Sequence, residues 1–209
     1  MTELCVRDVS MLFDGAWEAY LPLLPPERSA QARSFRRDRD SARCVGAWLL
    51  LRDMLARRGV EIDSLALRTG EYGKPYLDGG PAFSLSHAGP YAAAAVSDGP
   101  VGVDIEGPRC TLDLAKRWFN PSEYAAAAAL EGAAQRAYLQ RLWVAKEAFV
   151  KAVGTGLQTP FRSFCVTLDG ASVELTQDLT ALPIRISEFS VGAYRIAVAG
   201  VGDVTRVEM

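Results

Sequence analysis

LALRTGEYGKPYLDGGPAFSLSHAGPYAAAAVSDGPVGVDIE, residues 65–106, is a series of short apolar runs broken by Gly and Pro. That texture is several strands joined by turns. Asp98-Gly99-Pro100 is a strong turn signal, so YAAAAV (91–96) and VGVDIE (101–106) are expected to pair as a hairpin that carries Asp104 into a sheet.

The flanks have a different period. Residues 25–59 are expected to be helical, with Pro25-Pro26 at the start, Gly59 at the end, and Val45, Trp48, Leu49, Arg52 and Leu55 at the spacing of one core-facing stripe. Residues 113–153 are helical again, with Asn120-Pro121 as cap and first-turn proline, a break near Gly132, and Gly154-Thr155-Gly156 as terminator. The tail segments FCVTLD, VELT, LPIRISEF and AYRIAVAG alternate and are rich in β-branched residues, so they read as strands. Helices followed by strands, then helices followed by strands, indicate an α+β fold of two similar lobes, 1–103 and 104–209, with the site in the crevice between them. No residue-level repeat proves duplication, and a single mixed domain is the alternative.

The 209 residues, 49% hydrophobic and 23% charged, suit a packed globular protein. A net charge of −2 gives no positive field to gather nucleic acid, although residues 27–43 hold six arginines against three acids. No apolar run is long enough to cross a membrane. The first residues lack the basic and apolar regions of a signal peptide, so a cytoplasmic location is expected. Cys5, Cys44, Cys110 and Cys165 are scattered without a CxxC pair, which argues against structural zinc, and no local pattern supports a Cys–His87 nucleophilic pair.

Asp104 and Glu106 stand two apart on a strand, so both point to one face, about 6.6 Å apart along the backbone. Two acids on one face repel unless a cation lies between them. Mg²⁺ takes one or two carboxylates together with waters and substrate phosphates. A solvated sheet edge is the competing reading of the pair. In RLWVAKEAFVKAVGTGL, Trp143, Glu147 and Lys151 are spaced four apart and share a helix face, which offers Glu147 as a third ligand. An ordinary surface Glu–Lys pair explains that spacing equally well.

Ser84-Leu85-Ser86-His87 follows Phe83 at a strand end, and His87 is the chain's one histidine; a hydroxyl beside an imidazole can grip a phosphate, and a satisfied structural histidine near a turn is the competing reading. Gly73-Lys74-Pro75 is either an exposed turn or a rigid loop presenting an ammonium to an anion. The GTGL after Lys151 is no P-loop, because the GKS/T ending is missing and its glycines follow a helix.

Taken together, GEYGKP…FSLSHAG (Gly70 to Gly89), VGVDIE and FNPSEY…LWVAKEAFVKAVGTGL (Phe119 to Leu157) resemble the 4′-phosphopantetheinyl transferases of the surfactin-synthetase-activating type. Both motifs, G-[IV]-D-x-E and W-x-x-K-E-[AS]-x-x-K, are intact, and the similarity runs from Pro26 to about Phe164. The resemblance implies two α+β lobes related by a pseudo-twofold axis, with coenzyme A between them. It implies Mg²⁺, or Mn²⁺, held by Asp104, Glu106 and Glu147, with Asp104 also at the cofactor and Lys151 on its phosphates. It further implies contacts to coenzyme A from Lys74, Ser86 and His87, and basic support from Arg28, Arg33 and Arg43. Gln31 occupies a position often basic in relatives. The implied acceptor is a serine of an apo acyl or peptidyl carrier protein, and the implied product is 3′,5′-adenosine bisphosphate. A monomer with two fused lobes would build the whole site, and Phe119 to Leu130 is the region expected to meet the carrier.

For catalysis, Glu147, a water on the cation, or Glu123 would take the serine proton, while Lys151 stabilises or protonates the leaving phosphate. Asn120-Pro121-Ser122-Glu123 also fits a capping box, which gives Glu123 a structural alternative. A coenzyme A or carrier-binding module without turnover is a second hypothesis. A nucleoside-triphosphate phosphotransferase is a third, and it lacks any kinase-type glycine loop.

Overall fold

The computed structural model describes residues 1–208. A strand not anticipated above, β1 (Thr2–Asp8), comes first and is followed by α1 (Pro26–Ser34) and α2 (Asp38–Arg57). The single helix expected over 25–59 is therefore two, because Phe35 and Arg37 are extended. Val45, Trp48 and Leu55 are fully buried, but Arg52 leaves the stripe to form a two-pronged bond with Asp63.

The strands β2 (Leu67–Thr69) and β3 (Pro75–Leu77) form a small hairpin, and β4 (Ala82–Ala88) and β5 (Tyr91–Ser97) a longer one. The second half holds β6 (Val101–Glu106), α3 (Leu112–Trp118), α4 (Pro121–Ala128), α5 (Gly132–Val153), β7 (Cys165–Asp169), β8 (Ser172–Thr176), β9 (Ile184–Val191), β10 (Tyr194–Val201) and β11 (Val204–Arg206). No helix among the described residues is long and apolar enough to cross a membrane.

The expected hairpin between YAAAAV and VGVDIE does not form. β5 pairs with β1 on one side and β4 on the other, in a sheet ordered β11-β1-β5-β4, whereas β6 pairs with β10 in a sheet ordered β6-β10-β9. The reason lies in β5 itself: Ala92, Ala94 and Val96 face the α2 core, while Ala93 and Ala95 face a second core shared with Val103, Ile105 and Val198. With both faces and both edges covered, β5 has no free edge for β6. The Asp98-Gly99-Pro100 turn thus carries the chain from one sheet to the other, and a division between residues 103 and 104 falls inside a strand. β11 crosses back and pairs in parallel with β1.

The two sheets meet edge to edge at β4 and β6 without a backbone ladder between them. Instead the buried Ser84 hydroxyl accepts the Val103 N–H at 3.0 Å, and the Ser86 hydroxyl accepts that of Ile105 at 3.3 Å. These bonds satisfy β6 amides that would otherwise be buried without partners.

On β6 the residues alternate. Val101, Val103 and Ile105 pack between the sheets, while Gly102, Asp104 and Glu106 lie on the opposite face, under α5. Gly102 sets how closely the helix approaches: a Cβ there would lie 2.0 Å from the Ala148 carbonyl oxygen and 2.4 Å from the Ala152 nitrogen. Gly102→Ala must therefore push α5 outward. Overpacking of this kind costs about 1–3 kcal/mol, and urea denaturation is expected to show a loss of that size with an unchanged m-value.

Candidate active site

Asp104 reaches the seam between the sheets. It is 6% exposed, and its Oδ1 accepts from the Ser86 hydroxyl at 2.8 Å and from the Lys151 ammonium at 2.7 Å. Lys151 also donates to the Val103 carbonyl at 3.1 Å and to the Ser86 hydroxyl at 3.4 Å. Three elements, β4, β6 and α5, thus meet on one carboxylate.

Glu147 lies one helical turn before Lys151. Burial first, and then the negative charge of Asp104, push its pKa up from 4.5 to about 7; Lys151 opposes the rise and Glu106 adds to it. The three acids therefore sense one another, as the spacing suggested. They do not close into a cage: among the described residues no three His, Cys, Asp or Glu side chains converge around a common point. Glu106 folds one oxygen onto the Gly107 N–H at 2.8 Å, with Arg109 3.7 Å away. The donor set is nonetheless all carboxylate oxygen under mutual repulsion, which suits a hard divalent cation that keeps waters and draws further ligands from a substrate.

Beside this cluster lies a cavity of about 410 Å³, lined among others by Arg28, Lys74, Ser86, His87 and Lys151. Five of the residues expected from sequence to hold a cofactor therefore line one cavity. Arg28 stacks 5.2 Å over the Trp48 ring, donates to Gln31 at 2.6 Å, and leaves its buried Nε without a partner. The pKa of His87 is lowered by burial first and next by the positive charge of Arg43. Arg43 itself donates to the Gly89 carbonyl and pairs with Asp40, so it borders the cavity through His87 without lining it. Arg33 is exposed and does not line the cavity.

Lys74 plays a different part from the one expected. Its ammonium donates to the carbonyls of Val101 (2.8 Å) and Lys151 (2.6 Å), tying the β2–β3 turn to β6 and to the end of α5. Burial, reinforced by the nearby charge of Lys151, lowers its pKa to about 8. Most of its donor capacity goes to holding the helix that presents Lys151.

Glu123 is a correction. It is 2% exposed, and its carboxylate accepts from the amides of Asn120 (2.9 Å) and Val166 (2.7 Å) and pairs with the fully buried Lys146 at 2.7 Å. The capping box at Asn120 is complete. A carboxylate so occupied has no access to a substrate hydroxyl, so the structural alternative describes it. Lys146, the unflagged lysine of the W-x-x-K-E motif, also donates to the carbonyls of Phe161 and Phe164 and lies 4.0 Å over the Phe164 ring. Sequence reasoning gave Ser84 no role of its own, although the S-x-S alternation in FSLSH puts it on the same face as Ser86. It missed Gln140 too, whose amide donates to the carbonyls of Glu106 (2.8 Å) and Ala193 (3.0 Å) and so fixes the end of β6.

Residues 100–199, which hold the carboxylate cluster, match the 4′-phosphopantetheinyl transferase superfamily. The 4′-phosphopantetheinyl transferase Sfp of Bacillus subtilis (strain 168) is 34% identical over 189 residues, covering 87% of this chain and 84% of that protein. The chain belongs to the 4′-phosphopantetheinyl transferase superfamily. It is an enzyme of the Sfp type, and a second B. subtilis 4′-phosphopantetheinyl transferase is 35% identical over 77% of this chain and 75% of its own. A solved holo-(acyl-carrier-protein) synthase from Bacillus anthracis str. Ames, in complex with CoA (3′,5′-ADP), aligns with 48% of this transferase and 92% of its own chain. The identity is 25% and the TM-score 0.42.

Two outcomes follow from the charges in this transferase. A native pKa of about 7 against 4.5 means that Glu147 binds its proton more tightly folded than unfolded, so its contribution to stability is lost as pH rises through that window. In EDTA, Glu147→Gln is expected to melt with the wild type near pH 4.5 and above it at pH 8. Removing one partner of the buried Lys146–Glu123 pair strands a charge, which costs about 3–5 kcal/mol. Lys146→Ala is expected to lose stability on that scale, while Glu123→Gln lowers the melting temperature but leaves the turnover of folded enzyme unchanged.

Proposed function

We propose that this transferase moves the 4′-phosphopantetheine arm of coenzyme A onto a serine of an apo acyl or peptidyl carrier protein, with Mg²⁺, and releases 3′,5′-adenosine bisphosphate. The observation that carries the reading is the junction of Ser86, Asp104 and Lys151, set where a cation-lined cavity meets a cluster of repelling acids. A polyanionic nucleotide would suit the first, and a divalent cation that takes oxygen ligands would suit the second.

Asp104, Glu106 and Glu147 would hold the cation, and Mn²⁺ suits the same oxygens. When bound, it supplies charge neutralisation across the pyrophosphate and alignment of the displaced oxygen. Arg28 and His87 would engage the nucleotide end of the cavity. Glu147 takes the proton of the carrier serine, whose oxygen forms a bond to the β-phosphorus. The bond from that phosphorus to the bridging oxygen breaks, and the bridging oxygen leaves with the nucleotide. Lys151 steadies the leaving phosphate, and Lys74, by gripping the Lys151 carbonyl, keeps it in reach. Both walls of the cavity come from one chain, which supports a monomer, and a cytoplasmic site of action fits an intracellular co-substrate.

Incubation with coenzyme A, Mg²⁺ and an apo carrier protein tests the reading directly. Mass spectrometry is expected to show one added phosphopantetheine per carrier, abolished by EDTA and nearly abolished by Glu147→Gln. No mass shift across several acyl and peptidyl carriers would defeat it.

A further inference from the structure

The seam between the sheets is closed by hydroxyls at two places and has none at a third. Ser84, Ser86 and Ala88 share one face of β4. The first two meet the amides of Val103 and Ile105, but Ala88 has no side-chain acceptor to offer. The next amide in that series on β6, the Gly107 N–H, is taken by the carboxylate of Glu106. This open end lies beside His87, which lines the large cavity, and beside the Gly89-Pro90 turn that follows it.

Tyr194 stands over that end. It opens β10, half-buried, and the residue after it, Arg195, pairs with Glu106. Its ring crosses from the second sheet to the first: a Cβ on Gly89 would fall onto the Tyr194 hydroxyl oxygen and Cζ, and one on Gly107 would lie 3.4 Å from Cε1. Tyr91 meets the ring edge to face, with centroids 5.3 Å apart. Gly89, at φ +56°, is thus required twice, by its backbone and by the ring.

Both ends of this contact are anchored. Behind Tyr194, the Gln140 amide holds the carbonyls of Ala193 and Glu106, so the ring and the acid end of β6 rest on one side chain of α5. Behind Gly89, the Arg43 Nε donates to the Gly89 carbonyl at 2.7 Å, and the Pro90 carbonyl accepts the Val9 N–H at 2.7 Å. A chain of contacts therefore runs from α5 through Tyr194 and the turn to α2.

We propose that Tyr194 is a positioning residue whose ring closes the open end of the seam and fixes the spacing between His87 and the carboxylates of β6. The ring acts by bulk, because at Gly89 it meets a bare α-carbon. Only the kinetic consequence rests on the function proposed above: a co-substrate that spans from His87 to the carboxylates is held correctly when the two sheets keep their distance.

His87 is the chain's one histidine, so its imidazole signals in an NMR pH titration of the full chain identify themselves. Burial first, then the charges of Arg43 and Lys151, hold its pKa down, while its backbone hydrogen bond and Asp40 oppose them. Loosening the turn admits water and frees Arg43, so in Tyr194→Ala the value is expected to rise toward the ordinary 6.5. Tyr194→Phe, which keeps the ring, is expected to titrate as the wild type does. In the transfer assay, Tyr194→Ala is expected to raise the KM for coenzyme A about tenfold, the scale of a sub-ångström misplacement, with the KM for carrier protein unchanged and Tyr194→Phe restoring the wild-type value. A His87 titration unmoved in folded Tyr194→Ala, or in Tyr194→Leu where the alanine variant does not fold, would overturn the proposal. A phenylalanine variant as impaired as the alanine one would overturn it too. Wild-type protein without transfer activity would overturn the proposed function and leave the NMR comparison to decide this inference.

Discussion

Everything in the site hangs on the seam where β4 and β6 lie edge to edge without a shared ladder. Two serine hydroxyls replace the missing backbone bonds, so the sheets are joined by side chains that also have chemistry to offer. Ser86 accepts the Ile105 amide and donates to Asp104, and so binds the join between the sheets to the carboxylate at the centre of the site. A continuous ladder would have satisfied the same amides, but it would have placed no hydroxyl beside Asp104. α5 can reach this point because Gly102 yields the space of a side chain.

Charge is distributed with equal economy along α5. Adjacent residues of one motif have separate duties: Lys146 turns into the core and is satisfied by two carbonyls, a carboxylate and an aromatic face, whereas Glu147 turns toward the acids of β6. The buried pair sits beside the capping box and the aromatic cluster that holds Trp143, so one polar network supports both. Breaking such a network is expensive because each group in it is cut off from water.

Much of this was legible in the sequence, where local chemistry dominates. The strands of the tail, the cap at Asn120, the break near Gly132 and the shared face of Glu147 and Lys151 all follow from spacing and turn residues alone. The partnership of YAAAAV and VGVDIE was not legible, because an apolar run bounded by turns does not say whether both of its edges are already taken. β1 and β11 supply what the run itself conceals: strands from opposite ends of the chain cover one side of that sheet. Lys74 and Glu123 show the complementary limit. A lysine in a turn and an acid at a helix start look available for a ligand, and only three-dimensional packing reveals carbonyls and a buried ammonium already waiting for them.

β11 also bears on how the protein is made. The outer edge of β1 is closed by residues about two hundred positions downstream, pairing Thr2 with Val204 and Leu4 with Arg206. During synthesis the first lobe can gather α2, β4 and β5, but its sheet keeps an open edge until the last strand has left the ribosome. Until then an unpaired row of N–H and C=O groups faces the crowded cell, the kind of edge on which chains associate wrongly. Every residue of the site precedes β11 in the chain, so the chemistry is laid down before the sheet that supports it has both edges covered.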